Sequence, residues 1–330
     1  MLHIHNGDSS AGTLRQFGFP GEHRDFQEVL IEGPAPRDIS SDEWTEVRAR
    51  FLADAYDLKL EDSRKDLREQ EVWLRGFSNH DETILWFEHD LFCQINLIYL
   101  LDWFSNQSRA NKRLSLICID QFDGVGAFRG LGELTGEQLA SLFEGRHRVT
   151  DSELDVAVRA WAAYRSPNPR EIQLLLEEDT SAMPFLRTAL ALHLARFPSL
   201  RNGLGRVENT ALDLISGGAV EFKALFLKFG KAEPVYGLGD LQFWSALQRL
   251  GDAKNPLITI SGGEVRKPES NANCFHHASF ELTETGRAIL AGERDFVATN
   301  GIDLWLGGVH LNGGGLWRFD EDSGSLTHRH

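Results

Sequence analysis

Apolar residues along this chain follow two patterns: short unbroken runs, and stripes at three- and four-residue spacing. The runs Leu2-His3-Ile4-His5, Thr83-Ile84-Leu85-Trp86-Phe87 and Leu114-Ser115-Leu116-Ile117-Cys118-Ile119 read as buried strands. A fourth strand is expected within Phe26–Pro36, ending in the turn Glu32-Gly33-Pro34. Between these runs the period changes. A helix is expected from near Ala11 to Gly18. A charged helical stretch runs from Ser41 to Leu74, with Trp44, Val47, Phe51, Ala55 and Leu58 on one face, and a further helix spans Leu91 to Phe104. Apolar strands alternating with helices predict a mainly parallel, helix-covered sheet. We read residues 1–132 as a Rossmann-like α/β domain.

From 133 to 200 the pattern is helical and reads as a connection. Thr135 and Gln138 have the spacing of a capping box. Helices are expected over Val149–Tyr164, Arg170–Glu178 and Met183–Arg196. From 201 to 330 the order changes again. Helices over Val207–Ile215, Glu221–Phe229 and Asp240–Leu250 precede two short strands, 257–260 and 279–282, and then a helix to Leu290. That order is winged-helix-like. The end of the chain, Asp303–Leu311 with Leu316–Phe319, reads as a terminal β-hairpin, in which Trp305 and Trp317 pack across strands and Asp303 and His310 are pocket candidates.

Composition narrows the possible functions. The chain has 330 residues, 34 of them Lys or Arg and 49 Asp or Glu, for a formal charge of −15. This disfavours passive binding to nucleic-acid backbones or anionic lipid. The excess is uneven: residues from 201 onward hold 13 basic and 16 acidic side chains. DNA binding is therefore not expected of the N-terminal body and only weakly of the C-terminal part. The expected third helix there has few groove-reading side chains, and the strand link offers just Arg266 and Lys267. Packing on the first domain, or formation of a homodimer, is the alternative role. Three separated cysteines form no CxxC pair, no secretion signal opens the chain and no apolar run approaches membrane length. A cytoplasmic protein without membrane contact is expected.

Several of these motifs occur together in one family. Asn6-Gly7-Asp8-Ser9, Glu32-Gly33-Pro34, Leu85-Trp86-Phe87-Glu88-His89-Asp90-Leu91 with Gln94, Leu282-Thr283 with Gly286-Arg287, Asn300-Gly301-Ile302-Asp303 and Trp305-Leu306-Gly307-Gly308-Val309-His310-Leu311 resemble the bacterial domain of unknown function numbered eighteen-thirty-five. The resemblance covers nearly the whole chain and implies no assigned reaction or ligand. Members of that family often carry Asp where this chain has Cys93, and Asp-Val-Leu where it has Glu28-Val29-Leu30. Both departures count against catalytic roles for Glu28 and Cys93.

The candidate chemistry gathers at the carboxyl ends of the strands, where open α/β sheets bind ligands. The turn Asn6, Asp8, Ser9, Ser10 offers free amides and a positive helix end to an anion. Its plainer reading is a capping turn. Glu88, His89 and Asp90 follow a wholly apolar strand. Asp8, Glu88 and Asp90 are candidate ligands for a divalent cation such as Mg²⁺, and His89 and Glu88 are candidate acid–base groups. The competing reading makes Asp90 a helix cap. Glu32 joins the edge if the early strands are neighbours. Two functions compete. One is a metal-assisted enzyme, or binder, of a phosphorylated or nucleotide-like small molecule. The other is a non-catalytic regulator using the winged-helix-like part. His3 and His5 face one side of a strand and are expected to be packed; Cys93 and Cys118 are expected to be core; and His276, His277, His328 and His330 are expected at the surface.

Overall fold

In the computed structural model, residues 1–108, 112–126, 128–218, 220–262, 274–313 and 316–329 are described. Arg266, Lys267 and His330, singled out above, lie outside them.

Strand β1 (Leu2–Asn6) turns through Gly7 into helix α1 (Asp8–Phe17), and β2 (Glu22–Phe26) returns parallel to β1. After a loop and the two-residue strand β3 (Gly33–Pro34) come helices α2 (Ser41–Tyr56) and α3 (Leu60–Arg75). Strand β4 (Glu82–Glu88), helix α4 (Leu91–Ser105) and strand β5 (Arg113–Ile119) follow. The sheet runs β2-β1-β4-β5 with all neighbours parallel, and β6 (His147–Arg148) adds an antiparallel edge. The protein is thus α/β around a mostly parallel sheet. Successive residues of β4 serve opposite faces: Leu85 and Phe87 join the main apolar core, whereas Ile84 and Trp86 join a smaller one with Leu14 and Leu139. A strand buried on both faces must be apolar throughout, which is why β4 was readable.

Two expected elements differ from those observed. The second strand is Glu22–Phe26, not the apolar run after it. It sits at the sheet edge, buries only His23 and Phe26, and keeps charges outside. Val29-Leu30-Ile31 is a buried loop instead. Its carbonyls are taken by side chains: Arg48 Nη2 donates to Val29 (2.8 Å), Tyr164 Oη to Leu30 (2.7 Å) and Arg196 Nη1 to Ile31 (2.5 Å). Satisfied this way, the loop can be buried without a strand ladder. The charged stretch 41–74 is two helices that pack on each other, broken at Asp57 with φ 52°.

Helices α5 (Gly136–Leu142), α6 (Asp151–Tyr164), α7 (Arg170–Glu177) and α8 (Leu186–Leu194) come next, with α6 and α8 packed on α4. The Thr135–Gln138 capping box is present. Helices α9 (Arg206–Ser216), α10 (Phe222–Ala232) and α11 (Asp240–Gly251) precede the antiparallel pair β7 (Ile258–Ser261) and β8 (Ser279–Leu282), then α12 (Glu284–Leu290) and α13 (Phe296–Asn300). The end of the chain is two hairpins rather than one. β9 (Leu304–Gly307) pairs with β10 (Val309–Leu311), and β11 (Leu316–Asp320) with β12 (Ser325–Arg329). Trp305 and Trp317 therefore do not pair with each other. Trp305 stacks on His310 at 4.3 Å, and Trp317 meets His328 edge-on at 4.8 Å. Asp303 Oδ1 lies 2.7 Å from His310 Nε2, and both residues are exposed. β9 also pairs in parallel with β3, so the two ends of the chain share a sheet. Among the described residues, no helix is long and apolar enough to cross a membrane.

Candidate functional site

The chain leaves β1 toward β2 on one side, while β4 and β5 lie on the other. The carboxyl ends of β1 and β4 therefore form the point where strand order reverses, the usual ligand position in open α/β sheets. Asn6 ends β1 and Glu88 ends β4. Asp90 caps α4, its Oδ1 accepting the Cys93 amide at 2.8 Å. A helix cap and the residue three positions on face the same way. Asp90 and Cys93 therefore come together, and the ligating atoms of Glu88, Asp90 and Cys93 all lie within 4.8 Å of one another. Asn6 Nδ2 donates to Cys93 Sγ (2.9 Å), while Asn6 Oδ1 accepts from Asn96 Nδ2 (2.7 Å). Gln94 Nε2 donates to the Glu88 carbonyl at 2.7 Å.

The cluster is buried. Burial, and then the charge of Asp90, raise the Glu88 pKa; the Leu131 amide, donating to Glu88 Oε1 at 2.6 Å, works against them. Burial likewise raises Asp90, opposed by the Cys93 amide, and pushes the Cys93 thiol well above its ordinary range. Two adjacent carboxyls in low dielectric hold a proton between them. A divalent cation replacing that proton would be held by two carboxylates and a thiolate. Two glycines permit this enclosure. A Cβ at Gly130 would stand 2.5 Å from Glu88 Oε2, and one at Gly237 would stand 2.1 Å from Asp90 Oδ1.

The two helix N-termini at this edge differ. In α4, the Leu91 amide donates to Val235 O (2.8 Å) and Phe92 to Tyr236 O (3.3 Å), so its first turn is filled by protein. In α1, the N-cap is Gly7 at φ 86°, with no side-chain cap. Asp8, Ser9 and Ser10 are not caps but the first helical residues. Among the described residues no acceptor meets their amides. Ser9 is exposed, its Oγ reaching the Gly132 carbonyl at 3.4 Å.

Several expected site residues lie elsewhere. Asp8 is exposed on α1 and is not part of the acidic cluster. Glu32 is not at the strand edge, because the loop after β2 carries it away; its buried carboxylate accepts from Tyr56 Oη at 2.7 Å. His89 is not in the cluster and meets Phe185 edge-on at 6.1 Å, and among the described residues its buried Nδ1 has no partner. Three consecutive residues on a turn cannot all face one site, and here Glu88 and Asp90 do. Ser10 Oγ is 3.0 Å from His5 Nδ1, in a closed chain that continues from His5 Nε2 to His23 Nδ1 (3.1 Å) and from His23 Nε2 to the Phe19 carbonyl (3.1 Å). His3 and His5 are thus packed and hydrogen-bonded. Cys93, expected to be inert core, is the member of the cluster that the sequence reading left out. Its signal was its place three residues after the capping Asp90. No protein-family model matches the chain, and no curated protein matches it.

Proposed function

We propose that this protein binds a divalent cation through Glu88, Asp90 and Cys93 and, next to it, a phosphorylated or nucleotide-like small molecule on the free amides of α1. The observation that carries this reading is the meeting of two carboxyls and a thiol at the sheet's reversal point. The thiol changes the metal first considered. Mg²⁺ prefers oxygen ligands and water, whereas a carboxylate–thiolate set suits Zn²⁺. Glu88 keeps its proton above the usual carboxylate range in the metal-free protein, so it gives that proton up when it becomes a cation ligand. In the same reading the sheet is Rossmann-like, residues 1–132 and 133–200 are the α/β domain and its helical connection, and the chain belongs with the family it resembles.

Isothermal titration tests this. Zn²⁺ should bind with release of protons and more tightly than Mg²⁺, and Cys93→Ser should weaken Zn²⁺ much more than Mg²⁺. Nucleotides or sugar phosphates should then raise the melting temperature more with the cation than without it. Failure of both cations to bind would remove the proposal.

A second reading rests on α11. Residues 201–330 form a winged-helix-like unit in this view, and α11 would be its groove-entering helix. That helix instead faces α2 and α3 across a cleft rich in carboxylates. This favours a non-catalytic role through a protein partner, including a second copy of the chain, over DNA.

A further inference from the structure

We infer that the cleft between α2–α3 and α11 is a docking site for a basic, amphipathic polypeptide segment. It encloses about 1290 Å³, more than the roughly 300–1,000 Å³ that small ligands usually occupy. It is separate from the sheet-edge cluster: Glu88, Asp90 and Cys93 do not line it.

Charge selects the partner. Asp54, Asp57 and Asp66 line one wall, beside Asp25, Glu28 and Glu69, which pair with Arg15, Arg48 and Lys65, and Asp252 stands on the other. Among the described residues the lining cations are Arg24 and Arg249, paired with Glu22 and Glu208. Asp54, Asp57 and Asp66 meet no cation among the described residues, and all three are exposed. A cleft lined by one sign of charge attracts the opposite sign.

Apolar contacts define the rest. Leu58 at the α2–α3 turn and Leu241 on α11, both lining the cleft, are 50% and 43% exposed. Trp73 lines the α3 wall, and on the other side Trp244 stacks on Phe275 with ring centroids 5.2 Å apart. The half-buried Trp73 next to the wall carboxylates suits the ammonium or guanidinium of Lys or Arg and the apolar stems that carry them. The floor is already fixed: Gln242 Nε2 donates to Tyr56 Oη (3.1 Å), which donates to Glu32. The walls therefore need little rearrangement to receive a helix or an extended strand, as in other groove-binding modes.

The test uses the full chain and a fluorescently labelled amphipathic peptide of Lys and Leu, with its Glu-for-Lys isomer and spermidine as comparisons. The Lys peptide should bind in the micromolar range, more weakly as salt rises, and the Glu isomer should not bind. The double variant Asp57→Asn/Asp66→Asn should weaken binding about tenfold with unchanged melting temperature. Both positions are exposed, and Asn tolerates the left-handed conformation of residue 57. Leu58→Ser should weaken it independently. Equal binding of the two peptides, no effect of the Asp variants, or displacement by spermidine at the same concentration as unlabelled peptide would each overturn the inference.

Discussion

His3 shows how a single buried side chain acquires a defined state. Its Nδ1 accepts from Trp86 Nε1 at 3.1 Å and its Nε2 donates to the Pro20 carbonyl at 3.2 Å, which fixes the neutral tautomer. Its ring stacks on His23 at 4.5 Å. Burial, then the proximity of His23, lower its pKa from 6.5 to about 4, and burial also lowers His5 and His193. The sign follows directly. The folded state refuses a proton that the unfolded chain accepts, so this stability is full above pH 6.5 and is lost as pH falls toward 4. At pH 5 the loss through His3 alone is on the order of 2 kcal/mol. Urea unfolding at pH 7.5 and pH 5 should show it, and His3→Gln should flatten the difference. The same slope in both proteins would show that His3 is not the source. The sequence made the packing of His3 and His5 readable, because alternate strand residues share a face. It did not make His23 readable, because the strand that carries it, Glu22–Phe26, has no apolar run to mark it.

At the scale of the element, helix α4 is the most informative. Its largely apolar body announced it, and Asp90 announced its start. What the sequence could not show is that Val235, Tyr236 and Gly237, more than 140 residues away, complete its first turn. A short-range pattern carries no record of a long-range contact. Gly237 has φ 65°, and an added Cβ would stand 2.1 Å from Asp90 Oδ1. Gly18, which closes α1 at φ 78°, has nothing within 4 Å of that position. Both pay the left-handed penalty of about 1–2 kcal/mol when replaced by Ala. Gly237→Ala must also displace the cap of α4, so it should cost about 1–3 kcal/mol more than Gly18→Ala. Chemical denaturation of the two variants compares them, and equal costs would mean that the segment from 235 to 237 moves freely away from α4. Strands β2 and β3 were the elements least legible: one is a polar edge, and the other is two residues defined only by a partner near the far end of the chain.

At the scale of the molecule, the charge of −15 acquires a location. Part of the acidic charge, on Asp54, Asp57, Asp66 and Glu69, lines the wall that α2 and α3 present to α11. The same long-range logic governs stability. β9 pairs with β3, the Phe319 amide donates to the Pro198 carbonyl at 2.8 Å, and the Leu200 amide donates to the Phe319 carbonyl at 2.8 Å. Arg318 makes two bonds of 3.0 Å to Asp295. Leu306, Val309, Leu311 and Leu326 are buried in the main core. At about 1.5–3 kcal/mol each, these four side chains amount to about 6–12 kcal/mol of burial, as much as the net stability of many domains. A chain ending at Asp303 should therefore lose more than its last hairpins. Its near-ultraviolet dichroism should weaken and its melting transition should broaden and fall, including for signals from the N-terminal sheet such as Trp86. A terminal unit that were a mere appendage would leave that transition where it is in the full chain, and the pairing of β3 with β9 would then carry none of the fold.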